Sequence, residues 1–311
     1  MTQLQQFTFR SHNGRTDLHA RMWTAPDVTP RGVVQLIHGV SEHISRYDDF
    51  ARYLAKNGFV VVGHDHLGHG DSLPTGDTPI WFADKDGWQI VTDDVAALYR
   101  LTHEKYPELP YFFLGHSMGS FLLRSLLIRR LAAPRGAIIM GTGWNSEAAI
   151  SGGLAVTALL GAVRGKRSTS NFVTNLAFGG YNKAFAPNRT GFDWIAADKG
   201  AVDRYIADPK CGEDATIGLF RDMLQGFRFN QKAENLRKMD KTLPILLIAG
   251  QDDPVGAMGR GVEKTRDAFV AAGMQDVSLH LCPGLRHEIL NEPSAPQDVY
   301  APILRWLEEK R

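Results

Sequence analysis

The sequence predicts an α/β fold: a mostly parallel, doubly wound sheet with an inserted helical segment. Three observations predict it. Short apolar runs recur along the chain, amphipathic helical stretches separate them, and one long interval carries no such run. The runs are "VVQLI" from Val33, "FVVVG" from Phe59, "YFFLG" from Tyr111, "AIIMG" from Ala137, "ILLIAG" from Ile245 and "VSLHL" from Val277. Uninterrupted apolar strands suit a sheet covered on both faces, and alternation with helices implies parallel βαβ units.

The chain opens as a β-hairpin: "QFTFR" and "LHARMW" flank "SHNGR", whose Asn13-Gly14 pair is a strong turn signal. "RYDDFARYLAKNG" then reads as a helix closed by Gly58, and "DDVAALYRLTHEKYP" as one stopped by Pro107. From Trp144 to Gln231 the composition turns helical and aromatic. We read 144–231 as a helical cap lying over the carboxyl ends of the strands, where open α/β sheets bind ligands. The core domain is then 1–143 together with 232–311.

The 311 residues are enough to bury a substantial core. With 35 basic against 34 acidic residues, no global field favours nucleic acid. Two cysteines, Cys211 and Cys282, supply no disulfide framework and point to a reducing compartment. The start "MTQLQQFTFR" lacks a leader pattern, and "GGLAVTALLGAV" (Gly152 to Val163) falls short of the roughly 20 residues that span a bilayer. The expectation is a soluble, cytoplasmic protein.

"LGHSMG" supplies G-x-S-x-G at Gly115 to Gly119. Alone the motif is weak, since chance yields roughly 0.13 matches in a chain this rich in glycine. Its setting makes it specific, because "YFFL" before it reads as a buried strand and "SFLLRSLLIRRL" after it as a helix. A serine on that turn presents its hydroxyl at the top of the sheet. The hydroxyl needs a base, and the base a carboxylate to hold its tautomer. Those partners follow such a serine in the order acid, then histidine, each after a late strand. "QDDPVG" follows "ILLIAG", and "CPGLRHEIL" follows "VSLHL", so Asp252 or Asp253 and His287 stand at the required places. Asp253, followed by Pro254 and Val255, resembles the usual acid loop and is chosen. The oxyanion donors expected are the amides of Met118, beside the serine, and Val40, in the loop after "VVQLI".

Together "IHGVSEHISRY", "GHDHLGHGDS", "GHSMGS", "GQDDPV" and "GLRHEILNE" resemble the monoacylglycerol lipase/lysophospholipase family of α/β-hydrolases, in its bacterial form. The resemblance covers nearly the whole chain outside the insertion. It implies the α/β-hydrolase fold and a cofactor-free serine esterase acting on a small lipid ester. Ser117, Asp253 and His287 would be the triad, the Val40 and Met118 amides the oxyanion hole, and the cap a lid over an acyl-chain tunnel. One departure stands out. Animal members carry a second histidine three residues past the catalytic one, where this chain has Leu290. Glu42 and Arg46 remain as candidate polar groups at the pocket floor, with a bracing ion pair as the equally good alternative.

Two stretches call for a choice. "GHDHLGHGD", Gly63 to Asp71, spaces three histidines as two-metal hydrolases do, but the aspartate such a site needs at the fourth step is Gly68. The expectation is no metal, and a polar brace in which Asp65 and the histidines bond the turn to the "HG" loop. "SGGLAVTALLGAVRGKR" would form a helix apolar nearly all round, with Leu154, Leu159, Leu160 and Val163. It either packs within the cap or dips transiently into a membrane surface, with Arg164, Lys166 and Arg167 meeting head groups. Phe220, Leu224 and Phe227 are expected in the cap core or the tunnel wall.

Overall fold

Each apolar run becomes a strand. The computed structural model describes residues 1–311. The strands are β1 (Gln3–Arg10), β2 (Asp17–Thr24), β3 (Gly32–Ile37), β4 (Phe59–His64), β5 (Tyr111–His116), β6 (Gly136–Met140), β7 (Ile245–Gly250) and β8 (Val277–Cys282). They form one sheet in the order β1-β2-β4-β3-β5-β6-β7-β8. β2 runs antiparallel to β1 and β4, and every pairing from β4 to β8 is parallel. The helices are α1 (Asp48–Lys56), α2 (Gly87–Lys105), α3 (Met118–Arg129), α4 (Glu147–Arg164), α5 (Asn171–Phe178), α6 (Lys199–Ala207), α7 (Ile217–Gln231), α8 (Ala233–Leu236), α9 (Arg260–Ala271) and α10 (Ala301–Lys310).

The strands alternate between two apolar cores. Val33, Ile37, Phe113, Ile139 and Leu247 face one, while Val34, Leu36, Phe112, Ile138 and Ile248 face the other. Both faces are covered, so a buried polar side chain on these strands costs stability unless it finds partners. Gln35, fully buried in β3, finds them: its amide donates to the Val95 carbonyl and its oxygen accepts from Tyr111 Oη. β8 departs from the continuous burial its sequence suggested. As the outermost strand it alternates half-buried and exposed residues, so Ser278 and His280 face water. At the other end, Asn13 closes the β1–β2 hairpin, its side-chain oxygen accepting from the Arg15 and Thr16 amides.

From β3 the chain passes to β4 on one side and later returns to β5 on the other. This reversal opens a crevice beyond the carboxyl ends of β3 and β5, the place where open sheets bind ligands. Residues 144–231 fall between β6 and β7 and add no strand to the sheet. α4 runs 18 residues, longer than the apolar run alone, and by length and composition could cross a membrane. Only its Ile150 and Thr157 are buried, while Leu159 and Val163 are 66% and 74% exposed. It is therefore a surface helix, not one packed on all sides.

Close approach of backbone fixes the strand–helix junction. A Cβ on Gly119, in the first turn of α3, would lie 2.1 Å from the Ile37 carbonyl oxygen and 2.6 Å from that of His38. Gly119→Ala is therefore expected to cost about 1–3 kcal/mol by overpacking. An unchanged Tm would show that α3 can move away from β3 without penalty.

Candidate active site

Ser117 caps α3 immediately after β5. Its backbone sits at φ 52°, ψ −122°, a region that side chains avoid, held by its own amide donating to the Met140 carbonyl at 3.0 Å. Glycines on both sides allow the turn. A Cβ on Gly115 would strike the Gly119 carbonyl at 2.4 Å, and one on Gly39 would lie 3.1 Å from Ser117 Cβ. The loop after β3 therefore passes directly beside Ser117. Neither the Val40 amide in that loop nor the Met118 amide, first in α3, donates to an acceptor within the chain. Met118 also stands at the positive end of the helix dipole.

His287 lies in the loop after β8, and its Nδ1 is 2.9 Å from Asp253 Oδ2. Asp253, in the loop after β7, is wholly buried, and its other oxygen accepts from the Val255 amide at 2.9 Å. Asp252 is half-exposed, so of the two neighbours only Asp253 meets the histidine. The His287 ring packs between aromatic rings, Trp194 at 5.2 Å and His116 at 4.7 Å. Ser117 and His287 open on one cavity of about 730 Å³, within the range of small-molecule sites. Its walls are mainly apolar and come largely from 144–231, including Val156, Phe178, Trp194 and, as expected, Phe220, Leu224 and Phe227.

Beneath it lies a buried ionic cluster. Glu42 accepts from the Gly39 amide at 2.6 Å, Tyr47 Oη at 2.9 Å and Arg46 Nη1 at 2.9 Å. Arg46 also grips Glu288 through two bonds of 2.7 and 2.6 Å. His116 Nδ1 is 3.2 Å from Glu42 and its Nε2 is 3.2 Å from the His287 carbonyl. With acceptors on both nitrogens, the ring is satisfied only when doubly protonated. Burial would depress its pKa, but the hydrogen bond and charge of Glu42 outweigh it and raise the pKa. For Glu42 burial acts upward, and His116, Arg46 and the Gly39 amide together hold its carboxyl far below the usual range. Two cations then match two anions.

The sequence reading of the pocket floor needs one correction. Glu42 borders the cavity, but Arg46 and Leu290 do not. Leu290 sits on the short turn Ile289–Asn291, which carries its side chain into the second core, and its carbonyl accepts from Tyr300 Oη. No contact with a substrate head group can come from it. Two members of the cluster, His116 and Glu288, escaped the sequence reading although each adjoins a motif residue. Trp194 was not singled out either: "FDWIAADKG" drew notice only as part of a stretch of the insertion that resembles bacterial members.

The histidine run proves to be the brace that was expected. Asp65 accepts from the Ile44 amide at 2.7 Å and the Asp71 amide at 2.8 Å. The His66 amide donates to His38 Nε2 at 3.0 Å, which places the His38 proton on Nδ1, aimed at the Gly39 carbonyl. His66 Nε2 and His69 Nδ1 face the His38 and Leu67 carbonyls. A Cβ on Gly68 would lie 2.5 Å from the Trp81 carbonyl oxygen, so no ligand-bearing side chain fits there.

Residues 28–294 match the Hydrolase_4 family, serine aminopeptidase S33. The chain belongs to that family. It is 30% identical to a monoacylglycerol lipase of Mycolicibacterium smegmatis over 88% of this chain and 86% of that one. A monoglyceride lipase of Rattus norvegicus is 26% identical, over 94% and 87%. Among solved structures, a thermostable carboxyl esterase from Bacillus coagulans in complex with glycerol superposes with a TM-score of 0.91 at 31% identity, covering 98% of both chains. The fold is that of the α/β-hydrolases, and the chain falls with the monoacylglycerol lipase/lysophospholipase group within them.

Burial depresses the pKa of the three histidines of the brace and of His64 beside them: His64 to about 3, His69 to about 4, and His38 and His66 well below 6.5. The unfolded chain takes up protons near pH 6.5 and the native one does not, so stability is full above that pH and lost as pH falls toward 4. Both His64 ring nitrogens lack partners, so His64→Phe forfeits no bond. It should gain about 2 kcal/mol at pH 5 relative to its effect at pH 8, read as a flatter dependence of Tm on pH. Parallel curves for variant and wild type would refute a neutral His64.

Proposed function

We propose that this chain hydrolyses carboxylic esters of fatty acids, monoacylglycerols or lysophospholipids, through an acyl-enzyme on Ser117. That it is a carboxylic ester hydrolase rests on its family and relatives; the substrate and the residue roles are the proposal. One observation carries it: Ser117, on its strained turn, and His287, bonded to Asp253, face the same long apolar cavity.

His287 Nε2 takes the Ser117 proton as Oγ attacks the ester carbonyl, while Asp253 holds the Nδ1 proton and the ring's orientation. The carbonyl oxygen gains charge in reach of the two unengaged amides, Val40 and Met118. His287 then returns the proton to the leaving alcohol, and water repeats the cycle on the acyl-enzyme. The residues of 144–231 act as a cap whose aromatic and aliphatic side chains take the acyl chain. The exposed apolar side chains of α4, with Arg164, Lys166 and Arg167 after them, give that cap a surface suited to a lipid interface.

The description of the matched family favours a second reading, removal of a peptide's N-terminal residue. Such a substrate needs a free carboxylate for its ammonium group. The two buried carboxylates of the cavity, Glu42 and Glu288, are already committed to Arg46 and His116, and the other two on its lining, Glu213 and Asp214, are exposed to water, where an ion pair is worth little.

Ser117→Ala should lower kcat by on the order of 10⁴-fold or more with Tm preserved. Ester turnover surviving in that variant would sink the mechanism. Across p-nitrophenyl esters of rising length, kcat/KM should climb by up to about fourfold per methylene until the cavity is filled, following ~0.8 kcal/mol per buried CH₂. A maximum at acetate, or faster cleavage of an aminoacyl arylamide, would overturn the lipid reading.

A further inference from the structure

A second cluster of chemically capable side chains lies beside the site and takes no part in it. We propose that His43, Asp208 and Cys211 form a binding site for a borderline-soft divalent cation of the zinc type. The imidazole nitrogen, carboxylate oxygen and thiol sulfur all lie within 4.8 Å of one another, so small side-chain shifts bring all three onto one ion. The mixture of donors is selective. Nitrogen and sulfur favour zinc, cobalt and cadmium, and disfavour magnesium or calcium, which take oxygen.

The surroundings are those of a built site. His43 is 6% exposed and points Nε2 at Asp208 Oδ2, 2.8 Å away. Its other nitrogen, Nδ1, lies 2.5 Å from Ser45 Oγ, the kind of outer partner that fixes ring orientation and tautomer in metal sites. Asp208 and Cys211 are partly exposed, which gives an ion its entry and leaves room for water as a fourth ligand. Charge is favourable. Arg46 is matched by Glu42 and Glu288, Lys210 pairs with Asp71, and Asp208 adds a further negative charge.

The two segments are also held in register without the ion. Gly212 N and Tyr205 Oη both donate to the Ser41 carbonyl, at 3.0 and 3.1 Å, and Ser41 Oγ donates to the Glu213 carbonyl at 2.7 Å. Ligands arranged before binding need little reordering. On binding, the ion displaces the His43–Asp208 hydrogen bond and the Cys211 thiol releases its proton to solvent, leaving a thiolate–metal bond. Such an ion would tie the loop that carries Val40 to the segment 208–213.

The test needs no substrate, so its failure leaves the hydrolase reading untouched. Cobalt(II) titrated into the intact protein should give a saturable thiolate charge-transfer band, and zinc should raise Tm in a concentration-dependent way. Cys211→Ser should abolish the band, and both Cys211→Ser and His43→Gln should lose the zinc-dependent rise. Ser45→Ala should bind about tenfold more weakly. Asp208→Asn, at a partly exposed position, serves if a buried variant fails to fold, and it too should lose the rise. Absence of the band in the wild type, or a zinc effect undiminished in Cys211→Ser and Asp208→Asn, would overturn the proposal.

Discussion

One buried carboxylate holds the site's geometry. Glu42 takes the amide of Gly39, and with it the loop that brings Val40 beside Ser117. It faces His116, the residue before Ser117, and through Arg46 it reaches Glu288, the residue after His287. Three loops from three strands are therefore indexed to one side chain. Burying charge in this way costs several kcal/mol per ion unless every group is matched. Here two cations face two anions with short bonds, which makes the arrangement specific if not strongly stabilising. Removing any one member would leave another buried charge alone.

The sheet sets the stage for that cluster. Because β3 and β5 are neighbours while the chain between them visits β4, their exits diverge, and the space between becomes the cavity. Polar groups sit at the strand ends and apolar ones in the segment above, so the cavity has a charged floor and an oily wall. The histidine brace stiffens the same floor from the β4 side, and it does so with neutral rings. Its hydrogen bonds to carbonyls use the imidazoles as donors, a role that needs no charge.

Much of this was legible in the sequence, and the reasons differ from residue to residue. The strands from β3 to β7 announced themselves because burial on both faces leaves only apolar residues. Ser117, Asp253 and His287 could be placed because each follows a strand that the sequence shows as an apolar run. β8 was misjudged in its exposure, since nothing in "VSLHLC" says that no strand lies beyond it. Leu290 was misplaced because sequence distance from His287 does not show that a turn carries the next side chains beneath the floor. His116 and Glu288 were invisible as a pair: their partners, Glu42 and Arg46, are contributed by a segment far away in the chain. The wide exposure of α4 depends on what packs against it, which composition cannot report.

The turn at Ser117 has a consequence for the balance between endurance and activity. Its backbone angles belong to glycine's territory, so the hydroxyl sits on a residue where the chain would rest more easily without any side chain. Selection for thermal robustness alone would drift toward glycine there and, on the proposed mechanism, silence the protein. The position thus records a compromise: a small local deficit, of order 1–3 kcal/mol, that the rest of the fold must outweigh for the serine to be kept.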